Sequence, residues 1–261
     1  MKKHIPVLAS LFVSLSLLPA LAQPGPGKGG GGPNWGGHMS KLFGANQAFS
    51  AALEMQATDK SGKPLTMPGK LSFDTGKSRF EFNLADMKGG QMPPGAAAQM
   101  KAMGMDENVT ISLPDKNILY LVFPGMKSYV QMPLPKDNHA PTNGDFKVDI
   151  TELGKDTVDG HPCVKNKYVV TDNEGAKHES TVWNATDLKK FPVKIQTAEN
   201  GNDVTMLFKN VSLAKPAADI FEAPSGYKKY DNMQMLMQQQ MMKAMGGAGG
   251  LPGGTDRPPA Q

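Results

Sequence analysis

Methionine is the residue whose number and placement could do chemistry in this chain. The 261 residues contain 18 of them, eleven of which cluster at 87–105 and 233–245. Met233-x-Met235-x-Met237, followed by Met241, Met242 and Met245, is a run of thioethers. Thioethers are soft ligands, uncharged at any pH, and they select Cu(I) over harder cations. The same residues also suit packing. Met233, Leu236, Met237 and Met241 share one helical stripe, and methionine supplies adaptable apolar contact. Met235 and Met242 fall off that stripe. Packing or partner contact is the preferred reading and Cu(I) the alternative, for this run and equally for Met100, Met103 and Met105.

Other chemistry finds less support. His161-Pro162-Cys163 places a thiol two residues from an imidazole, a spacing that invites a nucleophile reading. Proline intervenes, however, and the pair follows a turn, so a structural role is expected. One cysteine cannot form an internal disulfide, and burial is its expected fate. There is no Gly-x-Ser-x-Gly, no His-Glu-x-x-His and no phosphate-binding glycine loop. No enzyme, cofactor or classical metal site is expected. The formal charge of +4 includes Lys2 and Lys3, and no basic stripe interleaves with aromatics, which argues against nucleic acid.

These residues must be positioned by strands. Phe49, Ala51, Leu53, Met55 and Ala57 alternate, as half-buried strand residues do. Phe80, Phe82 and Leu84 alternate with Arg79, Glu81 and Asn83. Val109, Ile111 and Leu113 follow, and then the continuous apolar run Ile118–Phe123, as expected where both faces are covered. The second half repeats the habit through Phe146, Val148 and Ile150, then Val164–Val170, His178–Trp183, Val193–Thr197 and Val204–Phe208. Asn200-Gly201 is the strongest hairpin signal. The pattern predicts about eleven strands in one large antiparallel sheet, mainly β with short helices. A sheet that wide must curl, close or be covered. Residues 94–103 read as a short helix over it, and 229–245 as a second.

The N-terminus reads as a cleavable signal peptide over 1–22: Lys2 and Lys3, an apolar run to Leu18, then Ala20-Leu21-Ala22. A Gly/Pro-rich linker is expected over 23–38, the β domain over 39–232, a Met/Gln-rich helix over 233–245 and a Gly/Pro tail over 246–261. No segment after the signal is apolar enough to span a bilayer. The expected location is periplasmic or secreted.

Several segments resemble an uncharacterised family of exported bacterial proteins. They are Met103-Gly104-Met105-Asp106, Tyr120–Tyr129 with its Pro124-Gly125 turn, Leu153–Cys163 with Lys165, Val182-Trp183, and Phe221–Tyr227. The fold is similar to that of the periplasmic outer-membrane lipoprotein carriers, the Lol-type half-barrel. That resemblance implies an incomplete barrel whose concave face, under a helical lid, holds acyl chains. The expected ligand residues are Phe80, Phe82, Leu84, Ile111, Ile195, Met206 and Phe208, with Met100 and Met103 on the lid. The expected function is a non-enzymatic binding protein for a lipid, acylated peptide or other hydrophobic molecule. Cu(I) handling by Met233, Met235, Met237, Met241, Met242 and Met245 is the alternative, and an envelope scaffold docking a protein partner is a third reading. Whether the inward side chains line a cavity or fill a core stays open.

Overall fold

The order in which the strands pair decides where the concave face lies. The computed structural model describes residues 35–58, 62–89, 95–134, 146–172, 174–199 and 202–247. The first half of the sheet is β1 (Ala48–Thr58), β2 (Pro64–Asp74), β3 (Lys77–Asn83), β4 (Lys88–Gly89), β5 (Glu107–Leu113), β6 (Ile118–Phe123) and β7 (Ser128–Pro133). The second half is β8 (Lys147–Val158), β9 (His161–Thr171), β10 (Lys177–Ala185), β11 (Phe191–Glu199), β12 (Asn202–Ser212) and β13 (Lys228–Tyr230). All thirteen strands form one open sheet in the order β13-β7-β6-β5-β3-β2-β1-β12-β11-β10-β9-β8, with the short β4 attached to β2. Each half is a meander. The two join at the centre, where β1 pairs antiparallel with β12.

The eleven strands expected from alternation are all present, and β4 and β13 add to them. β13 also departs from the antiparallel expectation by pairing parallel to β7, Tyr230 opposite Val130. It takes residues that the sequence pattern assigns to the last helix. That helix, α3, runs Met233–Gly247 and starts where the Asn232 side chain accepts a hydrogen bond from the Met235 amide, 2.8 Å away, an N-cap. The earlier helix is α2, Ala96–Ala102. None of these helices is long and apolar enough to cross a membrane.

Turn chemistry fixes the register. Thr75-Gly76 and Asp159-Gly160 each carry two positive φ angles, as two-residue hairpins of right-handed twist require. Pro114–Asn117 and Pro124–Lys127 are built alike, a 3₁₀ turn followed by a left-handed residue.

The concave face is closed from within at one end. A third helix, α1 (Gly37–Lys41), lies on it, and Trp35, Met39, Leu42 and Phe43 are all buried there. Those four residues sit at i, i+4, i+7 and i+8, a helical stripe hidden in glycine-rich sequence. Composition assigns residues 35–38 to a linker, whereas packing puts Trp35 and Gly37 in the core. Phe43 meets Phe49, Phe73, Phe191 and Phe208 with ring centroids 4.8–6.3 Å apart, spacings that add to burial.

Gly69 makes room for one of these rings. It faces Phe82 across the β2–β3 ladder, beside the Leu71–Phe80 pair. A Cβ built on Gly69 would lie 2.6 Å from the Glu81 carbonyl oxygen and 2.7 Å from the Phe80 ring. Gly69→Ala is therefore expected to lower unfolding free energy by about 1–3 kcal/mol, read as a lower urea midpoint with the β-sheet CD spectrum retained. Unchanged stability would mean that Phe80 can shift without cost.

Candidate functional site

The two faces of the sheet carry three apolar clusters. The largest is the aromatic one around α1, and it contains Phe80, Ile195, Met206 and Phe208, each buried to 1% exposure or less. Phe82 packs against its margin, stacked on Phe80 with centroids 5.4 Å apart. Five of the expected ligand residues thus meet on the concave face, where α1 and the surrounding rings fill the space between them. Leu84 sits beyond the end of β3 in a 3₁₀ turn, half-buried.

Ile111 is not with them. β3 and β5 pair Phe80 with Thr110 and Arg79 with Ile111, so Ile111 faces the convex side. There it packs with Val109, Leu113, Val122 and Phe221. Alternation within β5 gives no sign of which face is inward; only the register with β3 decides it. The segment Phe221–Tyr227 covers this convex patch. Arg79 fastens it, its Nη1–H donating to the Ile220 carbonyl at 3.1 Å while its Nε–H donates to Glu81 at 2.9 Å. The apolar run Ile118–Phe123 serves both sides, Leu119, Leu121 and Phe123 inward and Val122 outward.

The second concave cluster lies under α2 and α3. Leu119, Leu121, Phe123, Val130, Leu134, Tyr230 and Leu236 form its buried part, with Met105. Met100, Met103, Met126, Met132, Met233 and Met237 pack around it half-buried. Seven thioethers therefore wall one region. Its cover is held lightly: α2 has no buried residue, and among the described side chains of α3 only Leu236 is buried. Of the six methionines in the C-terminal run, Met233 and Met237 face this cluster, while Met235, Met241 and Met242 are 49%, 52% and 59% exposed. The Met245 side chain lies outside the described residues. Helical geometry splits the run, so the five described side chains do not converge on one point.

Two of the segments that carry the family resemblance meet here. The loop leaving α2 stacks its backbone on the Pro124–Met126 turn: a Cβ on Gly104 would lie 2.8 Å from the Gly125 carbonyl carbon, and one on Gly125 would lie 2.7 Å from the Gly104 oxygen. This reciprocal approach explains both glycines. Two further segments meet elsewhere: the Trp183 indole N–H donates to Asp156 Oδ2 at 2.8 Å, and the Lys165 and Lys194 ammoniums lie 5.0 and 4.3 Å from its ring centroid. The Trp183 hydrogen bond holds the Asp156 carboxyl below its usual range. An open cleft of about 580 Å³, lined by Asp156, Cys163 and Thr186, adjoins it.

Cys163 is not an activated nucleophile. It is 2% exposed, its Sγ–H donates to the His161 carbonyl at 3.3 Å, and burial pushes the thiol up. The His161 ring is engaged by Asp187 at 2.9 Å instead. Among the described residues no cluster of three His, Cys, Asp or Glu side chains could hold a metal.

Sequence reasoning missed the histidine that locks α1 in place. His38 stacks on His178, centroids 3.9 Å apart and planes 6° off parallel, and His178 Nε2 lies 3.0 Å from Asp172 Oδ2. Nothing in a lone glycine-flanked histidine signals this.

Residues 49–191 match the model of a family described as a domain of unknown function, DUF4412. The chain belongs to that family. The matched segment starts and stops at Phe49 and Phe191, whose rings meet edge-to-face at 4.8 Å. The DUF4412 match includes α2, whereas α1, β12 and α3 lie outside it. No curated protein matches the chain. Solved structures similar to it include a LolA superfamily protein from Nitrosomonas europaea, 9% identical, covering 71% of this chain and 94% of its own, with a TM-score of 0.41. LppX, a lipoprotein from Mycobacterium tuberculosis, is 9% identical over 69% of this chain and 93% of its own, at 0.37. LprF from Mycobacterium bovis is 13% identical over 69% and 95%, at 0.36. At these scores the likenesses assign neither ligand nor partner to this chain.

Burial and the neighbouring His178 lower His38 from 6.5 to about 4. The unfolded chain therefore takes up this proton first as pH falls. The His38 contribution to stability is present above pH ~6.5 and is lost as pH falls toward ~4. His38→Phe, which keeps the stack without the proton, should flatten the urea midpoint over that window. An unchanged slope would assign the decline to other groups. Separately, Gly125→Ala should separate the two backbones and speed amide exchange in α2 at least tenfold, about 1.4 kcal/mol, leaving β1–β3 protected.

Proposed function

We propose that this is a non-enzymatic exported protein that binds an apolar molecule, a lipid or acylated peptide, beneath α2 and α3. The observation that carries this reading is the contrast between the two concave clusters. Around α1 the face is filled by interlocking aromatic rings, which leave nothing to exchange. Under α2 and α3 it is walled by methionine and covered by helices with one buried anchor. Unbranched thioether side chains re-pack around ligands of differing shape, and each methylene buried there would contribute about 0.8 kcal/mol. The ligand residues under this reading are Met100, Met103, Met132, Leu121 and Leu236, while Phe80, Phe82, Ile195, Met206 and Phe208 support the fold. The apolar start of the chain, with cleavage after Ala22, would deliver it to the periplasm.

A fluorescent fatty acid titrated into the mature protein tests this. Leu236→Asp should weaken binding at least tenfold, ~1.4 kcal/mol, with the CD spectrum intact, while Phe82→Ala should leave affinity within about twofold. The reverse pattern would move the site to the aromatic half. Native mass spectrometry of protein released from its own envelope separates the rivals: lipid-mass adducts support the carrier reading, and copper-mass adducts would replace it with soft-metal handling.

A further inference from the structure

The attachment of α3 has a chemical weakness. The helix is held at Leu236, fully buried, and at Met233 and Met237, half-buried on either side of it. Beyond these, its Gln239 side-chain oxygen Oε1 accepts hydrogen bonds from the Tyr230 hydroxyl and, at 2.6 Å, from Lys228 Nζ. Replacing a thioether by a sulfoxide turns an apolar group into a strong hydrogen-bond acceptor. The cluster around Leu236 is aliphatic and aromatic apart from Tyr230, whose hydroxyl Gln239 already takes. A sulfoxide oxygen turned into the cluster would go unpaired, which is unfavourable, and one turned to solvent draws the sulfur and its methyl out of the apolar contact that holds the helix. Leaving the cluster lets it reach water.

We propose that Met233 and Met237 are an oxidation site, and that their conversion to sulfoxide by a hypohalous acid releases α3 from the sheet. In each step the sulfur gains an S–O bond as the O–Cl bond of hypochlorous acid breaks. Sulfur is oxidised by two electrons, chlorine leaves as chloride, and the proton goes to solvent. Both side chains are partly exposed, so a small oxidant reaches them without unfolding. Met235, Met241 and Met242 are more exposed still, so a sulfoxide on any of them already faces water and leaves the helix docked. The same residue type thus has two fates set by helical phase. The inference concerns the docking of α3 and holds whatever molecule lies beneath it.

Hypochlorous acid titrated into the full-length mature protein provides the test, with sulfoxides located by peptide mass spectrometry and α3 followed by amide exchange. In the wild type, α3 amides should exchange at least tenfold faster once Met233 and Met237 are oxidised, and sulfoxide reductases should restore protection. Met233→Leu/Met237→Leu should keep α3 protected at the dose that releases the wild type. Met235→Leu/Met241→Leu/Met242→Leu should respond like the wild type. Release of the Met233→Leu/Met237→Leu protein at that dose would overturn the assignment. So would a wild-type helix that stays protected with both sulfoxides present, or one already unprotected before oxidation.

Discussion

The pairing of β1 with β12 is the constraint on which the remaining architecture rests. Leu53 lies opposite Phe208 and Met55 opposite Met206, residues more than 150 positions apart in sequence. Each meander can form locally, but neither half alone offers a complete concave face. The central pair joins them and brings Phe49 and Phe208 to the same side, where α1 lands. Closing so long a loop costs entropy before it is rewarded by contact. The dense aromatic packing of Phe43 against four other rings offsets that cost at the place where it arises.

From that seam the sheet diverges in character. Toward β11 and β10 the inward side chains are Ile195 and Val182, fully buried. Toward β6 and β7 they are Leu121 and Val130, covered by the methionines of α2 and α3. The outer edges differ too. β7 is capped by three residues of β13, whereas β8, unpaired on its outer side among the described residues, bears Lys147, Asp149 and Lys155, with an irregularity between Glu152 and Gly154. Charge and a bulge on a free edge discourage pairing with another chain, although Ile150 and Leu153 stand 55% and 52% exposed there.

Much of this was legible in the sequence and some was not. Strand positions were readable because alternation is a local property: Phe49 to Ala57 declares its own period. Facing was not, because it depends on register between strands. Ile111 alternates as cleanly as Phe80, yet its partner across the ladder is Arg79 and it points outward. α1 was hidden because glycine on both sides masks a four-residue stripe. The role of Arg79 was equally invisible, since its acceptor, the Ile220 carbonyl, lies 141 residues away. The short segments Met103-Gly104 and Pro124-Gly125 were recognisable, but the reason for their glycines is a contact between them that sequence does not show.

Why the cover should be methionine rather than leucine follows from what each does at a partly wet boundary. Leucine branches, prefers few rotamers and would fix α2 and α3 in one position. Methionine has a free χ3 and a polarizable sulfur, so it tolerates several positions of the helices at little difference in energy. The aromatic half needs a single arrangement, because its rings interlock and His38 must sit flat on His178. The methionine half needs many, if its contents change. The rigid cluster is centred on the β1–β12 seam and the methionine cluster lies toward the β6–β7 side of the sheet, so the second can vary without disturbing the first. Seven thioethers wall that side, so the side chains that make the cover adaptable are also ones an oxidant can alter.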